Sequence, residues 1–437
     1  MTTELTFIAK PGGSVHGTLQ VPGDKSISHR SIIFGALAEG QTRVAGFLEG
    51  EDSLNTLRAF RAMGVEITDP DQGRLVINGV GLQGLKAPDS ALYLGNSGTS
   101  MRLLSGLLAA QTFGVELTGD DSLSKRPMRR VIDPLAQMGA EIESHDGRPP
   151  LQIKGGKKLQ AIDYAMPMAS AQVKSCLLLA GLYADGETSV IEPAPTRDHT
   201  ERMLQTFSYS LKVDGAQVSL QGGGRLQACD IEVPADISSA AFFMVAASVA
   251  KDADITLSKV GLNPTRTGVI DILRLMGANI QLENEQLLGA EPVADIRIRS
   301  SQLQGIAIPE SLVPLAIDEF PVLFIAAACA DGETRLSGAE ELRVKESDRI
   351  QVMADGLQAL GASAQPTPDG IVIQGAGMLD GGEVQSHGDH RIAMAFAIAA
   401  LRARAEITIH DCRNVNTSFP GFVELARSAG LDLSVQQ

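Results

Sequence analysis

The sequence predicts an α/β protein of six similar modules, divided between two globular domains. A turn, an apolar helix, a second turn and a strand recur six times, at steps of 72, 72, 68, 81 and 71 residues. The copies are anchored at Ser26, Gly98, Ser170, Ser238, Glu319 and His390. This period exceeds the ~20–50 residues of solenoid and propeller repeats, so each copy is a small α/β module. The chain of 437 residues also exceeds the ~250–300 residues at which a single core stops growing. Two domains of three modules each account for that length.

A second helix recurs in the modules and ends at a glycine that follows a methionine or leucine. The clearest examples are Met63-Gly64, Met138-Gly139, Met276-Gly277 and Leu360-Gly361. Glycine is favoured just after a helix because it adopts the left-handed conformation without strain. The pattern therefore predicts where these second helices end.

The composition is that of a soluble globular protein with an acidic balance. Hydrophobic residues make up 44% of the chain and charged residues 20%, and the formal net charge is −15. Such a field repels polyanions, which argues against nucleic acid or an anionic membrane as the partner. Lysine and arginine are nevertheless gathered at a few predicted helix starts, and this placement indicates a small anionic substrate.

Cysteine usage and the absence of targeting patterns predict a cytosolic protein. No apolar run approaches the ~20 residues that a membrane span needs, and the opening MTTELTFIAKPGG resembles neither a signal peptide nor a transit peptide. The cysteines are scattered without a CxxC pair, so we expect reduced thiols. They are Cys176, Cys229, Cys329 and Cys412.

The first module begins with a helix that Asp24 or Ser26 is expected to cap. The helix is predicted to continue through Ile32–Leu37 and to stop at Gly40, and a strand is predicted at Thr42–Val44. The next helix is predicted at Ser53–Met63, with Asp52 or Ser53 as its cap.

Several charged and hydroxyl groups stand together at the first of these helix starts. At helical spacing, Ser26 and Arg30 share one face, and Lys25 and His29 lie on the neighbouring face. A helix N-terminus already favours an anion through its free N–H groups and its dipole. A phosphate or carboxylate ligand is the functional interpretation, and a capped helix with solvated charges is the alternative.

The second and third modules offer further candidate anion ligands. The glycine-rich GNSGTS opens a helix at Gly98 but lacks the Lys-Ser/Thr pair of a Walker loop, and Arg102 follows four residues later. Arg126 stands just before a proline in the most basic run of the chain, residues 122–130. Ser170 and Gln172 have side chains suited to hydrogen bonds with a polyol or a phosphate.

Residues of the later modules suggest acid–base chemistry. Asp318 and Glu319 open an apolar helix, either as a simple cap or with one of them as a general base. Lys345 and Arg349 are predicted on one helix face with Glu346 beside them. They could form an acid–base or anion-binding set, but ordinary i,i+4 ion pairs have the same sequence pattern.

Three further stretches contain basic residues at predicted helix starts, and the sequence alone leaves their roles open. Arg197 precedes a helix and either pairs with Asp198 on the surface or contacts substrate. Arg266 is expected to be structural or peripheral. Gly388-Asp389-His390-Arg391 repeats the opening motif in the last module.

The motifs, taken in order, resemble those of the 5-enolpyruvylshikimate-3-phosphate synthase family. They are PGDKSISHR, GNSGTSMRLL, SLSKRPM, MASAQVKS, TRDHTE, NPTRTG, IDEFP, ELRVKESDR and DHRIAMAF. The resemblance spans the whole chain, and TRDHTE and MASAQVKS are similar to the family's class II branch. It implies an α/β fold of two similar domains, each with three βαβαββ units, that close on their substrates. We place one domain at 1–23 plus 234–437, on the phosphoenolpyruvate side, and the other at 24–233, on the shikimate 3-phosphate side.

The resemblance also implies an activity. Family members transfer the enolpyruvyl group of phosphoenolpyruvate to the 5-hydroxyl of shikimate 3-phosphate through a tetrahedral intermediate, releasing phosphate. The reaction serves chorismate and aromatic amino acid biosynthesis and needs no metal and no organic cofactor. We expect a monomer.

Individual roles follow from the family's motifs, position by position. The catalytic residues would be Asp318, Glu346, Lys25 and Lys345. Shikimate 3-phosphate would be bound by Lys25, Ser26, Arg30, Ser170, Ala171, Gln172, Arg197, Asp318 and Lys345. Phosphoenolpyruvate would be bound by Lys25, Gly98, Arg126, Gln172, Arg349 and Arg391. Asp318 would accept the 5-hydroxyl proton, Glu346 would handle the proton at the methylene carbon, and Lys345 would support the charged centre.

Two positions bear on differences within the family. Some relatives have a lysine before Thr-Phe-Pro near the C-terminus, whereas Thr417 occupies that place here. Glyphosate, the family's inhibitor, occupies the phosphoenolpyruvate site, and tolerant class II relatives often have alanine where this chain keeps Gly98. The resemblance therefore implies a glyphosate-sensitive enzyme.

Two rival interpretations remain at this stage. The sister family that acts on UDP-N-acetylglucosamine shares the fold, but it typically carries a loop cysteine that is absent from residues 120–130 here. A non-catalytic anion-binding protein could keep the arginines, yet the retained Asp318 and Glu346 argue against it.

Overall fold

The computed structural model describes residues 5–436 of the chain. Its α-helices are α1 (Lys25–Leu37), α2 (Glu51–Ala62), α3 (Gly98–Leu108), α4 (Arg129–Gln137), α5 (Ala171–Gly181), α6 (His199–Thr206), α7 (Ile237–Val249), α8 (Gly268–Leu275), α9 (Phe320–Cys329), α10 (Arg349–Ala359), α11 (His390–Ala399), α12 (Val415–Ser418) and α13 (Phe422–Ser428). Within residues 5–436, no helix combines the length and the apolar character that crossing a membrane requires.

Six of these helices form the centres of the predicted modules. Helices α1, α3, α5, α7, α9 and α11 begin at or beside the six anchor positions, and most of their residues are buried. A helix that is apolar on all sides belongs in the interior, and α9 (sequence FPVLFIAAAC) is buried from Phe320 to Ala328. The sixfold repetition predicted from the sequence is confirmed.

The second helix of a module ends as its glycine predicts. Gly64, Gly139, Gly277 and Gly361 follow helices α2, α4, α8 and α10 with φ values of +86°, +93°, +94° and +81°. A side chain would strain this left-handed conformation, whereas glycine adopts it freely. These four helix ends are therefore set by local sequence.

The chain divides into two compact units. Unit 1 contains the first described residues up to Pro22, Pro234–Leu287, and the chain from Glu291 onward, and unit 2 contains Gly23–Val233 and Leu288–Ala290. The boundaries predicted from the sequence lie at 23/24 and 233/234. Those of the compact units lie at 22/23 and 233/234, and in addition unit 2 includes the three residues Leu288–Ala290. Each unit has its own hydrophobic core.

Unit 1 contains three sheets, one for each of its modules. Their strands, in spatial order, are Gly382–Gln385, Ile407–His410, Thr6–Ala9 and Leu433–Gln436; then Asn279–Leu288, Glu291–Arg299, Ala253–Gly261 and Val15–Leu19; then Asp331–Leu336, Gly370–Ala376 and Ser363–Thr367. The N-terminal strand Thr6–Ala9 lies between two strands from the end of the chain and is antiparallel to both. The first described strand therefore completes the last sheet.

Unit 2 also contains three sheets. Their strands, in spatial order, are Leu226–Gln227, Ala38–Ala45, Leu75–Val80 and Glu66–Ile67, with Ile231–Glu232 also paired to Ala38–Ala45; then Leu92–Tyr93, Val115–Thr118, Arg148–Ile153 and Ile142–His145; then Asp163–Ala165, Glu187–Ile191, Gln217–Gln221 and Lys212–Asp214. All of these strands come from within residues 38–232.

Three local predictions were wrong. Helix α1 ends at Leu37 and the next strand begins at Ala38, so Gly40 lies inside that strand (φ +109°) instead of ending the helix. Helix α2 begins at Glu51, and neither predicted cap acts as one because Asp52 already belongs to the first turn and pairs with Lys25.

The third wrong prediction concerns Lys345 and Arg349. A 3-10 helix covers Glu340–Val344, Lys345 follows it in extended conformation, and α10 begins only at Arg349. The two side chains therefore do not share one helix face. They lie close together because both point to the same carboxylate.

Candidate active site

The acidic and basic candidates of unit 1 form one cluster around Asp318. Lys345 Nζ lies 3.3 Å from Asp318 Oδ1, and Arg349 Nη1 donates to the same oxygen at 3.4 Å. Glu346 Oε2 accepts from Arg349 Nη2 at 2.5 Å. The structure thus brings the four candidates together, with two cations beside the proposed base.

Arg349 is the centre of this cluster, and only 1% of its side chain is exposed. Its Nε donates to Asp389 Oδ2 at 2.8 Å. Burial alone would lower the pKa of the Arg349 guanidinium, but the carboxylates of Asp389, Glu346 and Asp318 outweigh it and raise that pKa. The arginine is therefore a permanent positive charge.

Arg391, at the start of α11, lies on another side of Asp318. Its Nη1 donates to the backbone oxygen of Asp318 at 3.0 Å, and its backbone N–H donates to the cap residue Asp389 at 2.9 Å. Thr417, where some relatives have lysine, donates through Oγ1 to the backbone oxygen of Asn414 at 2.6 Å. Its hydroxyl is thus committed to a local backbone bond.

The first helix of unit 2 carries the basic groups that its sequence indicated. Asp24 caps α1 by accepting from the Ile27 N–H at 2.9 Å, which confirms one of the two expected caps. Lys25, the first residue of the helix, donates to Asp52 Oδ2 at 3.0 Å. The local sequence does not predict this ion pair, because its two members lie 27 residues apart, on α1 and α2.

Arg30 is held more tightly than a solvated surface arginine would be. Its Nε donates to Thr200 Oγ1 at 2.7 Å, its Nη2 to Ser175 Oγ at 2.8 Å, and its Nη1 to the Ser26 backbone oxygen at 3.0 Å. The guanidinium thus connects α1, α5 and α6. The alternative of a solvated charge at this position is excluded.

Gly98 and Arg126 are in close approach. A Cβ added to Gly98 would lie 3.0 Å from Arg126 Nη1. Arg126 is buried and donates through Nη2 to Asn96 Oδ1 at 2.5 Å. The glycine therefore leaves room for the guanidinium beside the N-terminus of α3.

The start of α5 presents the remaining candidates of unit 2. Ser170 caps the helix by accepting from Val173 N–H at 3.4 Å, and Ala171 is its first residue. The Gln172 side chain is held at both ends: its oxygen accepts from Arg102, and its Nε2 donates to Thr99 Oγ1 at 3.0 Å. The amide is therefore fixed in orientation. Arg197, half-buried, stands two residues before α6.

Comparison with known proteins decides the family. A family model described as EPSP synthase (3-phosphoshikimate 1-carboxyvinyltransferase) matches residues 9–425. The chain belongs to the EPSP synthase family.

Curated relatives and solved structures agree with this assignment. The 3-phosphoshikimate 1-carboxyvinyltransferase of Alkalilimnicola ehrlichii is 67% identical over 431 residues, covering 98% of this chain and 97% of that protein. The one from Nitrosococcus oceani is 68% identical over 428 residues, covering 98% of this chain and 96% of the relative. A solved EPSP synthase from Acinetobacter baumannii superposes with a TM-score of 0.89 at 60% identity and covers 100% of both chains.

Membership of the EPSP synthase family confirms the resemblance and the fold class predicted from the sequence. It also sets aside the sister family that acts on UDP-N-acetylglucosamine. Within residues 5–436, no group of three His, Cys, Asp or Glu side chains is arranged to hold a metal ion.

This EPSP synthase family member also contains a buried charge cluster that the sequence did not indicate. Lys174, with 1% of its side chain exposed, lies 2.8 Å from Glu192 and 2.6 Å from Glu201. Burial raises the pKa of Glu201, and within the described part of the chain no hydrogen-bond partner reaches its Oε2. The sequence did not indicate this cluster, because Glu192 and Glu201 lie 18 and 27 residues beyond Lys174 along the chain.

Arg266 was expected to be structural or peripheral, and the first alternative is confirmed. It is structural as expected but not peripheral, because only 3% of its side chain is exposed. Its Nη2 donates to Asp236 Oδ1 at 3.1 Å. The aspartate is the cap of α7, so the arginine binds to the start of a central helix of unit 1.

Proposed function

We propose that this chain transfers the enolpyruvyl group of phosphoenolpyruvate to the 5-hydroxyl of shikimate 3-phosphate and releases phosphate. This is the family's step toward chorismate and the aromatic amino acids. One observation carries the assignment of roles: a single oxygen of Asp318 contacts both Lys345 and Arg349, at 3.3 and 3.4 Å. A carboxylate, an ammonium and a guanidinium in contact provide a proton acceptor and two fixed positive charges.

Asp318 acts as the general base in this proposal. An aspartate is ionised at neutral pH and can accept the proton of the 5-hydroxyl as that oxygen bonds to the central carbon of phosphoenolpyruvate. Lys345, beside the same carboxylate, stabilises the negative charge that moves between the hydroxyl oxygen and Asp318. General bases in such positions contribute typically ~10²–10⁴-fold to rate.

Glu346 handles the second proton. The methylene carbon of phosphoenolpyruvate gains a proton when the tetrahedral intermediate forms and loses one when phosphate leaves. Glu346 Oε2 accepts from Arg349 Nη2 at 2.5 Å, so its carboxyl group is oriented. In its protonated form it gives a proton to the methylene carbon, and as a carboxylate it takes a proton back from the resulting methyl group when phosphate leaves. No net proton is lost at the carbon.

The basic residues of both units bind the two anionic substrates. Shikimate 3-phosphate is assigned to residues at or near the starts of α1, α5 and α6 together with Asp318 and Lys345. Phosphoenolpyruvate is assigned to three arginines, to Gly98, and to Lys25 and Gln172, which the two sets share. The first set is Lys25, Ser26, Arg30, Ser170, Ala171, Gln172, Arg197, Asp318 and Lys345, and the second is Lys25, Gly98, Arg126, Gln172, Arg349 and Arg391. Charge-assisted hydrogen bonds offset the repulsion between two polyanions. Helix N-termini add fixed partial positive charge where negative charge develops.

Three further properties are part of the proposal. Glyphosate binds in place of phosphoenolpyruvate, and Gly98 leaves room for it. The protein acts as a monomer. It acts in the cytoplasm. This is supported by the lack of a disulfide among the cysteines within residues 5–436, which are Cys176, Cys229, Cys329 and Cys412, since a reducing compartment disfavours disulfides.

A phosphate-release assay tests the activity. The purified protein is given phosphoenolpyruvate with shikimate 3-phosphate, and in parallel phosphoenolpyruvate with UDP-N-acetylglucosamine. We expect release with shikimate 3-phosphate alone. Release with only the nucleotide sugar, or with neither acceptor, would refute the proposed function.

A further inference from the structure

Glu319 does not perform the role that its position predicts. It occupies the cap position of α9, yet its side chain accepts no hydrogen bond from the first turn of that helix. Only 2% of the residue is exposed. A buried carboxylate needs charged or hydrogen-bonding partners, because leaving it unpaired away from water is strongly unfavourable.

The partners of Glu319 come from three other segments of unit 1. Ser238, in the first turn of α7, donates through Oγ to Glu319. Arg266 Nη2 lies 3.9 Å from Glu319 Oε1, and Arg391 Nη1 lies 3.6 Å from the same oxygen. One carboxylate oxygen is therefore shared by two guanidinium groups.

These contacts belong to a chain of alternating charges. Asp236 accepts from Arg266 at 3.1 Å, Arg266 lies beside Glu319, and Glu319 lies beside Arg391. Arg266 also donates to Ser238, which in turn donates to Glu319. The two middle charges, Arg266 and Glu319, each have an opposite charge on both sides, so the series holds its members in fixed positions.

Arg391 is the member of the series that carries a proposed substrate contact. Its Nη1 also donates to the backbone oxygen of Asp318 at 3.0 Å. The carboxylate of Glu319 and the carbonyl of the preceding residue thus hold the same nitrogen. A hydrogen bond to the carbonyl and an ion pair with the carboxylate, both at one nitrogen, restrict the position and the rotation of a planar guanidinium.

We propose that Glu319 is a positioning residue for phosphoenolpyruvate: its carboxylate orients the Arg391 guanidinium toward the anionic substrate, and Arg266 and Ser238 hold that carboxylate in place. The inference rests on the proposed function, and it adds a residue that itself touches neither substrate. It predicts an effect on phosphoenolpyruvate alone, because the series of contacts leads to Arg391.

Steady-state kinetics of a double-mutant cycle tests the role. Glu319→Gln keeps the shape of the side chain and removes its charge. We expect the KM for phosphoenolpyruvate to rise roughly tenfold, within the range found for coupled neighbours. The KM for shikimate 3-phosphate should stay within about twofold, the variation expected of an uncoupled site. In the double variant Glu319→Gln/Arg391→Gln, the KM for phosphoenolpyruvate should equal that of Arg391→Gln alone.

A control removes another carboxylate of unit 1 that pairs with two arginines, at a more exposed position. Asp254 also lies between two arginines, at 2.7 Å from Arg297 and 3.3 Å from Arg299. Asp254→Asn should leave both KM values unchanged. Should Glu319→Gln fail to fold, Ser238→Ala supplies the test, since it removes one hydrogen bond to Glu319 without leaving a charge unpaired. We expect a smaller rise in the same KM from that variant.

The outcomes separate this inference from the function on which it rests. Equal rises in both KM values, or additive effects of Glu319→Gln and Arg391→Gln, would overturn the positioning role while the wild-type enzyme remains active. An unchanged KM for phosphoenolpyruvate in Glu319→Gln would overturn it as well. A wild type that releases no phosphate with either acceptor would refute the proposed function and this inference together.

Discussion

Replacing Gly98 by alanine tests the close approach at the start of α3. The added methyl would lie 3.0 Å from Arg126 Nη1 and 4.0 Å from Arg126 Cδ and Leu123 Cδ1. Only the guanidinium is too close, because the two carbon contacts are ordinary van der Waals distances. The substitution therefore acts on one group, and that group is proposed to bind phosphoenolpyruvate.

The magnitude follows from what has to move. Extra methyl groups in packed sites cost ~1–3 kcal/mol, and the end of a flexible side chain should place this change near the lower limit. A bound ligand in contact with Arg126 limits how far the guanidinium can retreat, and the longer glyphosate leaves less room than phosphoenolpyruvate. Since ~1.4 kcal/mol is a factor of ten in affinity, we expect glyphosate inhibition to weaken about tenfold or more. The KM for phosphoenolpyruvate should rise less.

The assay is phosphate release at varied phosphoenolpyruvate and several glyphosate concentrations, for the wild type and Gly98→Ala. Inhibition of the wild type should be competitive against phosphoenolpyruvate. The control is Gly98→Ala in an Arg126→Lys background, where the crowded Nη1 is gone and the methyl should have little further effect. An equal effect of the methyl in both backgrounds would refute the steric reasoning. A wild type that already resists millimolar glyphosate would show that Gly98 does not decide sensitivity.

Three other predictions concern the catalytic carboxylates of unit 1 and the stability of unit 2. Asp318→Asn and Glu346→Gln should each lower kcat by ~10²–10⁴-fold while binding of at least one substrate, measured by calorimetry, stays largely intact; near-normal turnover would remove that residue from the chemistry. Burial raises the pKa of Glu201 above its ordinary 4.5, so the stability gained by holding its proton is complete below pH 4.5 and is lost as the pH rises through the folded-state pKa. The free energy of unfolding of the wild type, from urea denaturation, should therefore fall relative to that of Glu201→Gln as the pH rises from 4.5 to neutrality, and a difference independent of pH would contradict this. Gly106→Ala places a Cβ 2.0 Å from the Cys176 backbone oxygen. Because backbone atoms cannot move aside as the end of a side chain can, the substitution should destabilise unit 2 by ~3 kcal/mol or more. A urea midpoint equal to that of the wild type would contradict this close contact.

The features that sequence predicts well here are local and repeated. The six apolar helices could be predicted because each has its own turn and apolar run, and the glycines after α2, α4, α8 and α10 mark ends set by backbone conformation alone. The cap of α1 at Asp24 was likewise among the two caps predicted from the short segment at the start of that helix. The same local patterns misplaced the start of α2, because Asp52 is a good cap in isolation but binds Lys25 in the fold.

The features that sequence did not predict depend on partners distant along the chain. Lys345 and Arg349 were expected together through helical spacing, and they do meet, but only because both contact Asp318. The burial of Arg266 and of Lys174 had no local sign, since arginine and lysine at a helix start usually remain solvated. Ion pairs between modules follow from how the modules pack, and the repeat itself carries no information on which charges will face each other.

The order of the strands has a consequence for how the protein is made. All strands of unit 2 lie between residues 38 and 232, so its three sheets can form as soon as that stretch has left the ribosome. The strand Thr6–Ala9 emerges earlier, but its partners are Ile407–His410 and Leu433–Gln436. It must therefore stay unpaired until those two segments have been made, and the first described strand is among the last to pair. The strand is only four residues long, which limits the unpaired edge that it exposes, and an exposed apolar edge is a site of aggregation in a nascent chain.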